Sequence, residues 1–150
     1  MYISAKSDYA LRAVITLAAE GRPMTAEELA RHEDLSLRYL EAILAQLRRA
    51  AIVSAQRGPQ AGYRLQRRPD HLTAADVMRA VDGPLAEVRG LRPEAASYEG
   101  VAEHLQELWV AVRASLRSVL ENVTMAQLVS GRLPRSVQRL VDNPDAWHAR

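Results

Sequence analysis

Residues 36–65 constrain the fold of this chain more than any other stretch. Ser36 stands where a helix cap is expected, and Leu37, Leu40, Ile43, Leu44, Leu47 and Ala51 follow at the spacing of one buried helical face. At 100° per residue the opposite side carries Arg38, Glu41, Ala42, Ala45 and Arg49, with Gln46 and Arg48 at its margins. The two alanines keep that side low, so a large partner can come close to the backbone. The arginines, glutamate and glutamine beside them offer forked donors and acceptors, the chemistry that reads base edges in a major groove. Then come a short apolar run (Ile52, Val53), a basic Gly/Pro turn (RGPQAG, 57–62) and a second run from Tyr63 to Leu65. This order predicts a recognition helix followed by a two-stranded β-wing.

The preceding residues supply the rest of such a unit. Ser4, Lys6 and Ser7 suit either a phosphate contact or a helix cap. From Ser7 to about Glu20 the chain is dense in Ala, Leu, Val and Ile and predicts a largely buried helix, ended by Gly21 and Pro23. Thr25 and Glu28 form a capping box for a short helix to about His32, with Leu29 and Ala30 turned inward. Two short helices joined by a tight turn, the second with a polar outer face, are a helix-turn-helix.

After the wing, Thr73 and Asp76 open a helix to about Val81. Residues 82–100, interrupted by Gly83, Pro84, Gly90, Pro93 and Gly100, predict a long irregular connection. From Val101 the period returns: Val101, Leu105, Leu108, Trp109, Val112, Leu116, Val119, Leu120 and Val123 share one side of a helix of some twenty residues. Such a stripe exceeds what a small winged domain can cover, and its natural partner is a second copy across a two-fold axis. Folding back on its own domain is the alternative. Thr124 and Gln127 cap a further short helix ended by Gly131 and Pro134, another follows near 135–141, and the DAWHAR tail frays unless Trp147 finds a pocket. The expected fold is mainly α with a small β-wing. Residues 1–81 form a winged helix-turn-helix DNA-binding domain, 82–100 a loop, 101–142 the dimerisation helices and 143–150 a tail.

Composition agrees where it speaks. With no Phe and 5% aromatics, the core must be built from Leu, Val, Ile and Ala, which suits closely approaching helices. The net charge of +2 conceals an asymmetry: residues 1–68 hold eleven Lys/Arg against seven Asp/Glu, whereas 69–150 hold nine against eleven. The basic half is the one with the wing, as phosphate binding requires, although a difference of this size alone is ordinary scatter. No 18-residue apolar run occurs, and Asp8 and Arg12 interrupt the N-terminal stretch. The expectation is a cytoplasmic chain without signal peptide or membrane contact. The absence of cysteine excludes disulfides, thiol switches and thiolate-held clusters.

The strings SDYALRAVITLA (7–18) and LSLRYLEAILAQLRRAAIVSAQRGPQAGYRLQRRPDHLTAADVMRAVDGPL (35–85), continuing into ENVTMAQLV (121–129), resemble the Rrf-two family of bacterial transcription regulators. That family includes iron–sulfur, nitric-oxide and cysteine-metabolism regulators. The resemblance implies a homodimer that exchanges its long helices and binds a pseudo-palindromic operator, usually as a repressor. It places Ser36, Arg38, Tyr39 and Glu41 in the major groove of double-stranded DNA, and Arg57, Gly58, Pro59 and Gln60 of the wing in the adjacent minor groove. Arg48 and Arg49 add positive charge at the far end of the same helix. Glu41 reads sequence by accepting from a cytosine amine, or else pairs with Arg38 on the helix surface. Tyr39 has a second role as a half-buried prop for the helix. Family wings commonly read RGxxGGY, and Ala61 here replaces the first of the paired glycines. If that position needs a positive φ, Ala costs about 1 kcal/mol.

Many relatives carry three cysteines in the loop before the long helix, where this chain has LAEVRGLRPEAASYEGVAE. No iron–sulfur cluster is therefore expected. Asp8, near a carboxylate ligand of some relatives, is better read as a first-turn acid favoured by the helix dipole. Glu103, His104 and Glu107 are half a metal site at most and suit a solvated face, while His32, His71 and His148 stand singly. Two readings of regulation remain open. Either the 82–100 loop, with Tyr98 and Trp109 near it, receives a small effector or a partner enzyme, or the protein responds only to its own concentration. An enzyme is not expected, since neither GxSxG nor a Gly-rich phosphate loop occurs. A winged-helix adaptor that binds protein is the competing class; it calls for an acidic or apolar outer face where Arg38, Arg48 and Arg49 lie.

Overall fold

A computed structural model describes residues 2–149; Met1 and Arg150, the ends of the expected DNA-binding domain and tail, lie outside the described residues. In chain order the elements are α1 (Ala5–Glu20), α2 (Ala26–Glu33), α3 (Leu37–Arg49), β1 (Val53–Gln56), β2 (Gly62–Leu65), α4 (Ala74–Asp82), α5 (Leu105–Leu120), α6 (Met125–Ser130) and α7 (Arg135–Val141). Short 3-10 turns occupy Pro69–His71, Pro93–Ala95, Gly100–Ala102 and Pro144–Trp147. This is a winged helix-turn-helix, mainly α with one small antiparallel sheet.

Local chemistry explains most boundaries. Thr25, Thr73 and Thr124 each accept from a backbone N–H three residues on, while Glu28, Asp76 and Gln127 reach back to the cap N–H. Ser4 and Ser36 cap α1 and α3. α3 ends in a Schellman pair: Ile52 N–H donates to Leu47 O at 3.0 Å and Ala51 N–H to Arg48 O at 3.0 Å. Ala51 there takes φ 55°, the left-handed conformation that glycine usually fills. It therefore sits exposed at the turn rather than on the buried face its spacing predicts, and Leu37, in the first turn, is also 36% exposed. Leu40, Ile43, Leu44 and Leu47 do form the buried face.

One core gathers α1 to α4 and the wing base around Val14, Leu29, Leu40, Ile43, Leu44, Leu47, Ile52, Val53, Leu72 and Val77. Met125 is fully buried in it with Leu128 against it, so α6 returns to pack on α1. Ala74 N–H donates to Val123 O at 2.9 Å and Met125 N–H to Leu72 O at 2.8 Å. These bonds pin the end of α5 to the start of α4. Residues 123–128, expected within the dimerisation segment, thus pack with the core of the helix-turn-helix unit.

α5 differs from its expected course in two ways. Helix begins at Leu105, because Gly100 (φ 61°) turns the chain and residues 100–102 form a 3-10 turn. No residue of α5 is buried, and Leu108 is 52% exposed. The 82–100 connection is irregular, with a Val88–Leu91 bridge and the Pro93–Ala95 turn resting against α5. Trp147 finds an acceptor, Val141 O at 2.8 Å, yet stays mostly exposed.

The lead before α1 is locked to α4. The Asp82 carboxylate accepts from Ser4 Oγ, from Ser7 Oγ at 2.6 Å, and pairs with Lys6 Nζ at 3.1 Å. Partial burial pushes that carboxyl up, but Ser4, Ser7 and Lys6 together hold it below its ordinary value. A lowered folded pKa contributes stability above the unfolded value of 3.8 and loses it as the pH falls through the folded one. Asp82→Asn is expected to cost about 1 kcal/mol at neutral pH and progressively less as the pH falls below 3.8, compared by urea unfolding. An equal cost throughout would mean the side chain acts by packing, not by charge.

Candidate nucleic-acid interface

The pose of α3 is set from α1 and α2. Glu33, only 4% exposed at the end of α2, accepts from Arg12 Nε at 3.0 Å and Thr16 Oγ1 at 2.6 Å; Arg12 Nη2 also donates to Glu33 O at 2.9 Å. The Arg12 guanidinium lies 5.3 Å from the centre of the Tyr9 ring. Tyr9 in turn meets Tyr39 edge-on, with ring centres 5.8 Å apart. Tyr39 is therefore the expected half-exposed prop, held by a chain of contacts running back to α2. Sequence reasoning missed Arg12, Thr16 and Glu33. The available signal was a charged residue and a hydroxyl at positions 12 and 16, one turn apart in the apolar middle of the helix.

The wing is held just as closely. β1 and β2 pair from Val53 opposite Leu65 to Gln56 opposite Gly62, and Ala61 N–H closes the tip turn onto Gly58 O at 2.9 Å. Tyr63 exchanges two backbone bonds with Met24, at 2.7 Å and 2.9 Å, so the α1–α2 connection acts as a third strand. Ala61 is not among the residues with positive φ; Gly58 (φ 100°) and Gly62 (φ 145°) are. The replacement of a paired glycine at 61 therefore costs no left-handed strain. At Gly62 a Cβ would lie 2.5 Å from Met24 O, so this glycine is required by the backbone crossing it.

Every residue expected at DNA is on the exposed side. Ser36, Arg38, Tyr39 and Glu41 occupy the start of α3, Arg48 and Arg49 its last turn, and Arg57, Gly58, Pro59 and Gln60 the wing tip. The Ser36 hydroxyl is already engaged as cap, accepting from Tyr39 N at 3.3 Å. Arg38 and Arg49 point in nearly the same direction but lie about 16 Å apart along the axis. They cannot serve the same base pairs. Arg38 and Glu41 form no surface pair with each other; both are exposed and without a hydrogen bond or ion pair among the described residues. The same holds for Arg48, Arg49, Arg57 and Arg64. By contrast, Arg12, Arg22, Arg67, Arg68, Arg79, Arg113 and Arg117 are all paired with carboxylates.

A helix-turn-helix with a capped, arginine-bearing second helix and a basic wing is the architecture of the winged-helix fold. A model of the Rrf2 family, described as iron-dependent transcriptional regulators, matches residues 3–131. The chain belongs to that family. It is 40% identical over 145 residues to a Mycobacterium tuberculosis protein named provisionally as an HTH-type transcriptional regulator, covering 95% of this chain and 90% of that one. It is 35% identical over 133 residues to the HTH-type transcriptional regulator CymR of Bacillus subtilis, covering 87% and 91%. Among solved structures, CymR, the global cysteine regulator of B. subtilis, matches with a TM-score of 0.73 at 34% identity over 87% of this chain and 98% of that one. IscR of T. potens matches with a TM-score of 0.67 at 26% identity over 100% and 93%.

The iron in the family description has no donor set here. The chain has no cysteine, and among the described residues no three His, Asp or Glu side chains are placed to hold a metal. Glu103 and Glu107 sit at opposite ring nitrogens of His104, at 3.5 Å and 3.4 Å, so the three do not converge. Asp8 lies in the first turn of α1. No helix among the described residues is long and apolar enough to cross a membrane.

Proposed function

We propose that the chain is a sequence-specific regulator that works as a homodimer on a pseudo-palindromic operator in double-stranded DNA. It acts in the cytoplasm as a repressor, without an iron–sulfur cluster. The observation that carries this reading is the contrast among arginines. All five of α3 and the wing are exposed and unpaired, whereas seven of the thirteen described arginines elsewhere have carboxylate partners. Unpaired guanidinium groups along one helix and one wing suit a polyanion, whose phosphates they can neutralise. Arg38 and Glu41 stand at the entering end of α3 and read bases. Arg49, three turns on, is left for phosphate, and Arg57 enters the minor groove from the wing tip. Dimerisation is supported by the apolar stripe of α5, where Leu105, Leu108, Trp109, Val112, Leu116 and Val119 have no cover in the protomer sufficient to bury them. With 1–81 contacting DNA and 101–120 joining the copies, residues 82–100 are placed to receive a signal.

Fluorescence anisotropy with DNA from the protein's own promoter, at two salt concentrations, tests this. Binding is expected to weaken steeply with salt as counterions are released. Arg57→Ala should lose about 1–3 kcal/mol on the cognate site, and Arg38→Ala should relax base preference as well as weaken binding. Tight binding indifferent to salt overturns the reading, and an unchanged Arg57→Ala means that the wing is not at the DNA.

A further inference from the structure

A cleft of about 460 Å³ opens between the end of α4, the segment that follows it, and α5. Four arginines line it, Arg79, Arg92, Arg113 and Arg117, with one carboxylate, Glu94. Two acids compensate three of these cations. Glu121 Oε1 accepts from Arg79 Nη2 and, at 3.0 Å, from Arg117 Nε, while Glu94 Oε2 accepts from Arg113 Nη1. Arg92 makes no hydrogen bond or close ion pair among the described residues and acts on Glu94 only through its field, at longer range than Arg113. The cleft therefore keeps two positive charges in excess, inside a volume within the range of small-ligand sites, roughly 300–1,000 Å³. Planar guanidinium forks at several angles suit carboxylate and phosphate oxygens, each of which takes two parallel N–H bonds. In the free protein Glu94 occupies the place of such an anion on Arg113.

We infer that this cleft binds a small metabolite carrying two or more carboxylate or phosphate groups, through Arg92 and Arg113 with Arg79 and Arg117 completing the lining. The inference rests on residues 82–100 being the sensing segment of a DNA-binding regulator, and it gives that segment a ligand class. The position of the cleft supplies the means of coupling. Arg79 belongs to the DNA-binding unit and Arg113 and Arg117 to the arm, whose far end is pinned by the Val123 and Met125 backbone bonds. An anion held between them fixes the angle of the arm against the DNA-binding unit. In a dimer that angle sets the separation of the two recognition helices.

Calorimetric titration of the whole chain with pyrophosphate and, separately, with citrate tests the site, in a buffer without competing multivalent anions. Saturable binding of at least one probe at one per protomer is expected, and the stronger of the two distinguishes phosphate from carboxylate chemistry. Arg92→Gln should weaken it at least tenfold. Glu94→Gln, which removes the internal competitor from Arg113, should tighten it. Arg132→Gln, an exposed and unpaired arginine outside the cleft, should change nothing. Because Arg92 is exposed and holds no hydrogen bond, its variant keeps the structure, which circular dichroism verifies. Failure of both probes to saturate overturns the proposal. So does equal binding by the Arg92 and Arg132 variants, or a loss of dimer mass on Arg92→Gln, which would assign the cleft to the interface between copies. No DNA is present in the titration, so its failure leaves operator binding standing, and failure of operator binding leaves the titration result intact.

Discussion

A chain carrying Leu108→Asp and Val112→Asp is expected to be a folded monomer with operator affinity reduced a hundredfold or more. Leu108 is half exposed and Val112 is only partly buried, so the isolated protomer keeps its fold at a cost of about 1–2 kcal/mol in all. In a two-fold pair each carboxylate appears twice and faces an apolar arm without a partner, which costs several kcal/mol. The operator then loses the advantage of two linked half-sites, commonly a factor of 10²–10⁴. Light scattering reads the mass against the protomer's 16.7 kDa, and anisotropy reads the affinity. A doubly substituted chain that remains dimeric and binds normally shows that copies meet through another surface.

The second large effect is expected at Gly62. Its added Cβ would stand 2.5 Å from Met24 O and 2.6 Å from Met24 C, and φ 145° already disfavours a side chain. Neither Met24 atom belongs to a movable side chain, so the wing must separate from the α1–α2 connection. The two Met24–Tyr63 backbone bonds go with it. Gly62→Ala is expected to cost about 2–4 kcal/mol in urea unfolding and to impair DNA binding through a displaced wing. Ala61→Gly, one residue away, should stay within about 1 kcal/mol of the parent, since residue 61 has no left-handed strain to relieve. A Gly62→Ala chain with the parent's midpoint would show that the crossing is not close enough to exclude a methyl group.

These neighbouring positions show where sequence reasoning worked and where it stopped. The four helices and the wing of the DNA-binding unit were legible because each depends on contacts a few residues long: the 3.6-residue period, the Ser caps, the Thr-x-x-Glu and Thr-x-x-Asp boxes, and the Gly/Pro tip. The exposure of Arg38, Glu41, Arg49 and Arg57 followed from the same periods. Which glycine of the wing was indispensable did not follow. A motif directs attention to position 61, whereas the deciding contact comes from Met24, remote in sequence. Leu37 and Ala51 also fit the buried period, but the fold leaves them at the two ends of α3, where the core no longer reaches. Arg12 and Thr16, one turn apart, marked a polar spot on α1, but their shared partner Glu33 on α2 is visible only once those helices are packed.

The sequence by itself determined the winged helix-turn-helix, its basic outer surface and the exclusion of a thiolate-held cluster, because periodicity, capping and residue chemistry are local properties. The tertiary structure decided how α3 is propped through Tyr39, Tyr9, Arg12 and Glu33, and that α6 returns to the core. It also decided that four arginines from α4, the 82–100 segment and α5 face one cleft. Those arrangements depend on residues far apart in the chain meeting across a packed interior, and no local pattern records which residues will meet.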